Sequence, residues 1–97
     1  MSNSEPKKSF SFPLQKMTAS WKDIAEHNRK GTVFFVDAHL DILEVGRAVA
    51  QDNLPYIQRQ IDAGKIYRPA ERNISLGRDS VCVFIIVQPY IFVEHPE

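Results

Sequence analysis

The chain has 97 residues, of which 43% are hydrophobic and 25% are charged, so it can form one domain with a modest core. Its 12 lysine and arginine residues balance 12 aspartate and glutamate residues, which excludes a strong overall attraction to nucleic acid or anionic membranes. A single cysteine, Cys82, excludes an internal disulfide framework and a cysteine-rich zinc site.

The first 17 residues are polar, contain two prolines and lack the apolar stretch of a signal peptide. They predict a mobile N-terminal tail over residues 1–17, followed by a single α+β domain over residues 18–97. Phe10, Phe12 and Leu14 alternate along this tail, so part of it is expected to lie against the domain. The longest apolar runs are too short to span a bilayer, so we expect a cytoplasmic protein with no membrane partner.

The first predicted helix runs from about Ser20 to Lys30. Ser20 and Asp23 resemble a capping box, and Gly31 can adopt the left-handed conformation that ends a helix. The β-branched and aromatic run at 32–36 follows at once and predicts a short strand buried on both faces.

The second predicted helix runs from about Leu40 to Asp52. Ile42, Val45 and Gly46 lie on one apolar stripe, with charged residues on the opposite face. A glycine inside a helix costs about 1 kcal/mol relative to alanine, so we expect Gly46 to mark a close contact with another helix.

The third predicted helix spans Leu54 to Ala63. Asn53 is a favourable N-cap, and a proline in the first turn is tolerated because its missing N–H would be unpaired there. Helical spacing predicts that Leu54, Ile57 and Ile61 point into the core.

The remainder of the chain predicts three strands and a loop. A short strand at Lys65–Arg68 precedes a polar loop at Ala70–Ser80, and Val81–Val87 carries the strongest strand pattern in the chain. Tyr90–Val93 resumes an extended pattern after Pro89, which cannot donate to a strand ladder and so indicates a bulge, a corner or an edge.

The predicted order is therefore helix, strand, helix, helix, strand, loop, strand, which is the order of a winged helix-turn-helix domain. The second and third helices would form the helix-turn-helix, and the strands on either side of the loop would flank a wing. The fold class is α+β, winged-helix-like, with Tyr90–Val93 as an extra C-terminal strand that could form an edge or pair with a second chain.

The third helix and the segment after it supply a candidate contact surface. Residues 54–78 carry five basic and two acidic residues, whereas residues 31–53 carry four acidic residues and one basic residue. A DNA-reading helix needs guanidinium and amide groups near its start and cations directed at phosphates. The candidate contact residues are Tyr56, Gln58, Arg59, Lys65 and Arg68. The acidic second helix would weaken phosphate binding, so we predict a protein partner ahead of DNA.

Asp37, His39 and Asp41 alternate and could bind a divalent metal if this segment were extended. Asp41 is better suited to the first turn of the second helix and Asp37 to a turn, and the spacing supplies no further ligand. A small metal protein or enzyme therefore remains the third hypothesis. No serine or glycine pattern is typical of a nucleophile or a phosphate loop, so we predict no catalytic residue and no cofactor.

Residues 81–93 contain eleven apolar residues among thirteen. A domain of this size has little material to cover a strand pair that is apolar on both faces. Two alternatives stay open at this point: the helices cover the strands, or a homodimer forms through the C-terminal strands.

Several stretches together resemble the bacterial family described as domain of unknown function 2288. These stretches are Trp21-Lys22, Val36-Asp37, residues 40–46, residues 48–53, Ile61, residues 64–66, Pro69 and residues 86–89, of which residues 40–46 are the most specific. Gln60 is a departure, since family members often carry tryptophan there, and His39 is a local variation. The resemblance implies a small, uncharacterised bacterial cytoplasmic protein, and it brings no assigned activity and no catalytic residues.

Overall fold

The computed structural model describes residues 14–28, 30–72, 74 and 76–95. These residues form three α-helices: α1 (Trp21–Asn28), α2 (Ile42–Ala50) and α3 (Leu54–Asp62). They also form five strands: β1 (Met17–Ser20), β2 (Val33–Val36), β3 (Ile66–Tyr67), β4 (Val81–Val87) and β5 (Tyr90–Glu94). A short 3-10 helix, Pro69–Arg72, lies in the predicted loop. The predicted α+β class is confirmed.

The strands form one mixed sheet in the order β1-β4-β5-β2-β3. β2 and β5 run parallel, with Val33 opposite Ile91, and the other neighbouring strands are antiparallel. β4 and β5 form a tight hairpin in which Val87 pairs with Tyr90. Both apolar C-terminal strands are thus at the centre of the sheet.

Each face of the sheet carries its own apolar cluster. On one face, Ile24 and the half-buried Trp21 of α1 pack against Phe35. On the other face, Ile42 of α2 packs in the cluster that contains Ile85. Phe35 and Ile85 are both 0% exposed, so each face of the sheet has a fully buried centre, although Val81 and Ile86 of β4 stay exposed.

Gly46 allows α2 to lie directly on the sheet. A Cβ atom at Gly46 would be 2.6 Å from Cδ1 of Ile85 and 3.0 Å from Cδ1 of Leu14, both closer than a normal contact. The expected close approach is therefore present, but the partner is a strand and the segment before β1, so the predicted helix–helix contact was wrong.

The winged-helix-like order is not confirmed by the strand pairing. The strands that would flank a wing, β3 and β4, do not pair within the described residues: β3 lies at one edge beside β2, and β4 forms its hairpin with β5. β5 has β4 on one side and β2 on the other, so Tyr90–Val93 is not an edge strand.

One strand was not predicted. β1 lies where the tail was expected to meet the first helix, and Met17 pairs with Phe84 in an antiparallel ladder. Its sequence, MTAS, alternates apolar and polar residues over four positions only and contains no large β-branched or aromatic apolar residue, so its strand signal is weak, and none of its residues is buried. Residues 1–13 of the predicted tail lie outside the described residues. None of the helices that the structure describes is long and apolar enough to cross a membrane.

Candidate functional site

α3 begins and ends within one residue of its predicted bounds, for local reasons. The Asn53 side chain accepts a hydrogen bond from the Tyr56 N–H at 3.4 Å, and Pro55 lies in the first turn. Gly64 has a φ of +75°, a conformation that glycine adopts without strain, and it stops the helix just after Ala63.

The packing of α3 differs from the prediction. None of its residues, all of which are described, is buried. Leu54 is 61% exposed and Ile61 is 43% exposed, so the prediction that both point into the core was wrong. The helix contacts α2 and β3 and rests on its half-buried Tyr56 and Ile57, which leaves its apolar stripe at the surface.

The turn between α2 and α3 produces this placement. Asp52 has a φ of +58°, in the left-handed region that aspartate tolerates better than most residues. The Asn53 N–H then donates to the Ala48 carbonyl at 2.8 Å, which redirects the chain within two residues. α3 is thereby turned away from the centre of the sheet.

The exposed stripe forms one wall of an apolar groove of about 500 Å³. The other walls are the C-terminal end of α2 and the β4–β5 hairpin. The main apolar lining residues are Phe34, Val49, Leu54, Ile57, Ile61, Val87, Tyr90 and Phe92. A groove with apolar walls and few polar groups has the composition of a ligand or peptide site.

Aromatic rings form the floor of the groove. Phe34 stacks on Phe92 with ring centroids 5.8 Å apart, and Tyr90 meets Phe34 edge-on at 5.9 Å. Each ring is held by another ring, which lowers the further cost in side-chain entropy of binding. Phe92 is buried, so Phe34 and Tyr90 provide the accessible aromatic surface.

Two charged groups lie at the groove. The Arg68 guanidinium carbon is 5.2 Å from the centroid of the Phe34 ring, a cation–π distance, and Asp52 lies at the α2–α3 turn. Neither forms an ion pair with another described residue. The groove therefore combines an apolar surface with one available cation and one available anion.

Four of the five predicted contact residues lie outside the groove. Arg68 lines it, whereas Gln58, Arg59 and Lys65 are exposed elsewhere. The Gln58 side-chain amide donates to the Asp62 carboxylate at 2.8 Å. The structure thus gathers a different set of residues from the one that the sequence suggested.

Tyr56, the fifth, faces α2. Its hydroxyl oxygen is buried without a hydrogen-bond partner in the described part of the chain. Burial raises the pKa of Tyr56, and the nearby negative charge of Glu44 raises it further. Tyr56 thus packs between helices, and its hydroxyl is not available to a ligand.

Asp37, His39 and Asp41 make local contacts. Asp37 Oδ1 accepts a hydrogen bond from the His39 N–H at 2.8 Å, and this bond lowers the pKa of Asp37. Asp41 caps α2 by accepting from the Leu43 N–H at 2.9 Å. Among the described residues, no cluster of three or more potential metal ligands is present.

A second, more polar crevice of about 660 Å³ opens at the ends of β2 and β5. Lys16 and Glu94 form an ion pair of 3.0 Å on its wall, and the exposed His39 also lines it. His95, also on this wall, is hydrogen-bonded to the buried Tyr67 hydroxyl. Sequence reasoning missed this crevice because its walls come from segments that meet only in three dimensions.

The groove was not predicted either, although the apolar spacing that forms one of its walls is visible in the sequence. The helical spacing of Leu54, Ile57 and Ile61 predicts an apolar stripe, and such a stripe usually packs into the core. Only the strand order shows that the sheet is already covered by α2 where α3 would have to pack.

The chain matches a protein-family model and is similar to a solved structure. A family model described as "Protein of unknown function (DUF2288)" matches residues 12–95, which include every helix and strand above. The chain belongs to this family. No curated protein matches. This member of the family is also similar to the NMR solution structure of PA1075 from Pseudomonas aeruginosa. The two share 24% identity over 82% of this chain and 76% of that one, with a TM-score of 0.71. At this identity the likeness shows the fold alone.

Proposed function

We propose that this protein is a non-catalytic binding module that holds a short segment of another protein in the groove between α3 and the β4–β5 hairpin. The observation that carries the proposal is the exposed apolar stripe of α3 facing an aromatic floor. Leu54 and Ile61 of this helix are 61% and 43% exposed. Contiguous apolar surface of this kind is typical of interaction sites.

The charges around the groove indicate the chemistry of the partner. Arg68 lies on the Phe34 ring without a carboxylate beside it in the described residues, so a partner carboxylate would form an ion pair next to the apolar contact. The neighbouring edge strand β3 has only two residues and can contribute little backbone pairing. The favoured partner is therefore a segment with apolar side chains for the groove and a carboxylate for Arg68.

Selection from a random peptide library displayed on phage tests this proposal with a defined probe. Peptides enriched on the immobilised full chain should carry apolar anchors together with an acidic residue. The affinity of one enriched peptide, made synthetically, is then measured by calorimetry.

Two variants on the same helix provide the decisive comparison. Ile61→Glu places a charge in the groove and should weaken peptide binding by roughly tenfold or more, the effect of losing one well-buried anchor. Arg59→Glu, a larger change of charge at an exposed position outside the groove, should leave the affinity unchanged. Equal binding to both variants would contradict the proposal.

DNA binding through Tyr56, Gln58, Arg59, Lys65 and Arg68 is the second candidate, supported by the exposure of Arg59 and Lys65. Two observations count against it. Residues 41–62 carry four carboxylates and two guanidinium groups, and the two strands predicted to flank a wing, β3 and β4, are not neighbours in the described sheet. If DNA binds, log Kd should depend on log salt concentration with a slope of about 0.9 per phosphate contacted. No binding to mixed duplexes at low ionic strength would exclude this candidate.

A homodimer through the C-terminal strands remains a further proposal, in which the two chains would meet through side chains and not through strand edges. Because β4 and β5 are paired on both sides, such a dimer would use exposed side chains such as Val81 and Ile86 instead of strand edges. Sedimentation equilibrium of the full chain measures its molar mass, and a monomer at all concentrations would rule the dimer out.

A further inference from the structure

We propose that two copies of the chain pair through the outer edges of their β1 strands, so that the two five-stranded sheets become one continuous sheet. This interface is separate from the groove, and also from the side-chain dimer of the C-terminal strands considered above. Three features support it: the direction of the β1 backbone groups, the chemistry of this edge, and the apolar surface beside it.

The register of the sheet fixes which backbone groups of β1 point outward. The Trp21 N–H donates to the Ser80 carbonyl at 2.8 Å, so Trp21 and, two residues earlier, Ala19 direct their backbone groups at β4. Thr18 and Ser20 alternate with them and therefore direct their N–H and C=O groups away from β4. Because β1 ends the strand order, these groups meet no other strand of the described sheet.

This edge lacks most of the features that keep strand edges from pairing with other chains. Met17–Ser20 contains no charge and no proline, and its four pairs with β4 follow one another without a bulge. The preceding Lys16 forms an ion pair of 3.0 Å with Glu94 of β5, so its charge is directed across its own sheet. The opposite edge strand, β3, has only two residues and is followed by Arg68 and Pro69. β1 is therefore the edge suited to strand addition.

The edge is complementary to itself about a two-fold axis at Thr18. Antiparallel pairing about this residue sets Met17 of one copy opposite Ala19 of the other. Lys16 then lies opposite Ser20, so no two like charges face each other. The outward backbone groups of residues 16, 18 and 20 would all form hydrogen bonds between the copies. A second copy of the chain therefore matches this edge in length, direction and charge.

Apolar surface lies beside this edge on the α1 face of the sheet. Met17, 36% exposed, is opposite Phe84, which packs against the apolar cluster of that face. A crevice of about 400 Å³ on the same face is lined by Ala19, Phe84 and the exposed Ile86. Side chains directly opposite in an antiparallel pair have Cβ atoms about 4.5–5.5 Å apart. Met17 of one copy would therefore contact Ala19 of the other at the end of this crevice, which removes apolar surface from water.

The interface is small, and its size sets the conditions of the test. Two short strands bury less than the roughly 1,200 Å² of a standard interface, so we expect a weak dimer with a dissociation constant on the order of 0.1 mM. At about 1 mM protein this constant leaves about one chain in five unpaired, compared with about three in five at about 50 µM.

Amide hydrogen exchange of the unaltered full chain, measured by NMR at these two concentrations, tests the pairing residue by residue. The amides of Thr18 and Ser20 should exchange roughly threefold more slowly at the higher concentration, because only unpaired chains expose them to water. The Ala19 amide faces β4 and should exchange equally at both. Equal rates for Thr18 and Ser20 at both concentrations would overturn the inference, whether the exchange is fast, as in a monomer, or slow, as under another segment of the same chain.

Two substitutions at one position supply a matched comparison. Thr18→Pro removes an outward N–H and leaves the hydrogen bonds to β4 in place, whereas Thr18→Val keeps this N–H. Sedimentation equilibrium at about 1 mM should give a mass near that of the monomer for Thr18→Pro and near that of the dimer for Thr18→Val and the unaltered chain.

A third variant separates this dimer from one made by the exposed side chains of β4. Val81 is 75% exposed, and Val81→Ser should leave the dimer intact. A dimer that persists in Thr18→Pro and is lost in Val81→Ser would overturn the inference. None of the described groove-lining residues belongs to β1, so peptide binding to Thr18→Pro tests the proposed function independently of either result.

Discussion

α2 and α3 have similar sequence patterns but differ in how deeply their apolar faces are buried. Each has nine residues, an amphipathic pattern and an Asx side chain as its N-cap. α2 buries four residues, whereas α3 buries none of its described residues. The comparison shows that an amphipathic pattern predicts a helix with an apolar face, while the strand order decides whether that face becomes core or surface.

The difference follows from position over the sheet. α2 packs on β4 and β5, where Gly46 allows it to approach Ile85 closely. α3 follows immediately after the turn at Asp52 and packs on α2 and the edge strand β3. Substitutions on α2 should therefore lower the free energy of unfolding in urea by more than matched substitutions on α3.

The largest effect is expected from removing a buried side chain of α2. Ile42 is 1% exposed, so Ile42→Ala should lower the free energy of unfolding by about 2–5 kcal/mol through lost burial and a cavity. The matched change on α3, Ile61→Ala, should cost less than about 1 kcal/mol because Ile61 is 43% exposed. Equal costs for the two changes would mean that α3 belongs to the core after all.

The next effect tests the close approach of α2 to the sheet. Gly46→Val places atoms where the Ile85 and Leu14 methyl groups already lie, and should cost about 1–3 kcal/mol from overpacking. Arg47→Val, at the neighbouring exposed position, controls for the lower helix propensity of valine. A cost no larger than that of the control would show that α2 does not need the glycine.

The N-caps should rank according to their geometry. The Asp41 carboxylate accepts from the Leu43 N–H at 2.9 Å, whereas the Asn53 amide oxygen accepts from the Tyr56 N–H at 3.4 Å. Asp41→Ala should therefore lower the free energy of unfolding by about 1 kcal/mol. Asn53→Ala should lower it by about 0.5 kcal/mol or less, because its hydrogen bond is longer. The reverse ranking would contradict the view that α3 is the more loosely held helix.

The smallest effect concerns Tyr56, which lies between the two helices. Its buried hydroxyl has no partner in the described residues, so Tyr56→Phe should be neutral or slightly stabilising at pH 7. Burial raises the pKa of Tyr56, so its contribution is present below the unfolded-state pKa of about 10 and is lost as pH rises through the folded-state pKa. The unaltered chain should therefore lose more stability than Tyr56→Phe between pH 9 and pH 11; equal losses would indicate an accessible hydroxyl.

Local signals predicted the elements well. The caps at Asn53 and Gly64 define α3 within one residue, and Val81–Val87 has the bounds that its apolar run predicted. β1 was missed because its four residues, MTAS, are too few and too weakly apolar for their alternation to stand out. The pairing of distant strands was also missed. The local sequence of Tyr90–Val93 predicts a strand but does not indicate that this strand will pair in parallel with β2.

The predicted contact residues and the groove share one position. Arg68 lines the groove, whereas Gln58 and Arg59 lie outside it, and a contact of these residues with nucleic acid or a partner stays a prediction. The aromatic floor could not be anticipated, since Phe34 and Phe92 meet only through the parallel pairing of β2 and β5.

Mapping a selected peptide onto the folded chain tests the proposed binding site most directly. Titration into methyl-labelled protein should shift the signals of Leu54, Ile57 and Ile61 on α3 and leave that of Ile42, on the buried face of α2, in place. Shifts centred on Ile24 and Ile86, on the opposite face of the sheet, would contradict the assignment of the groove as the binding site.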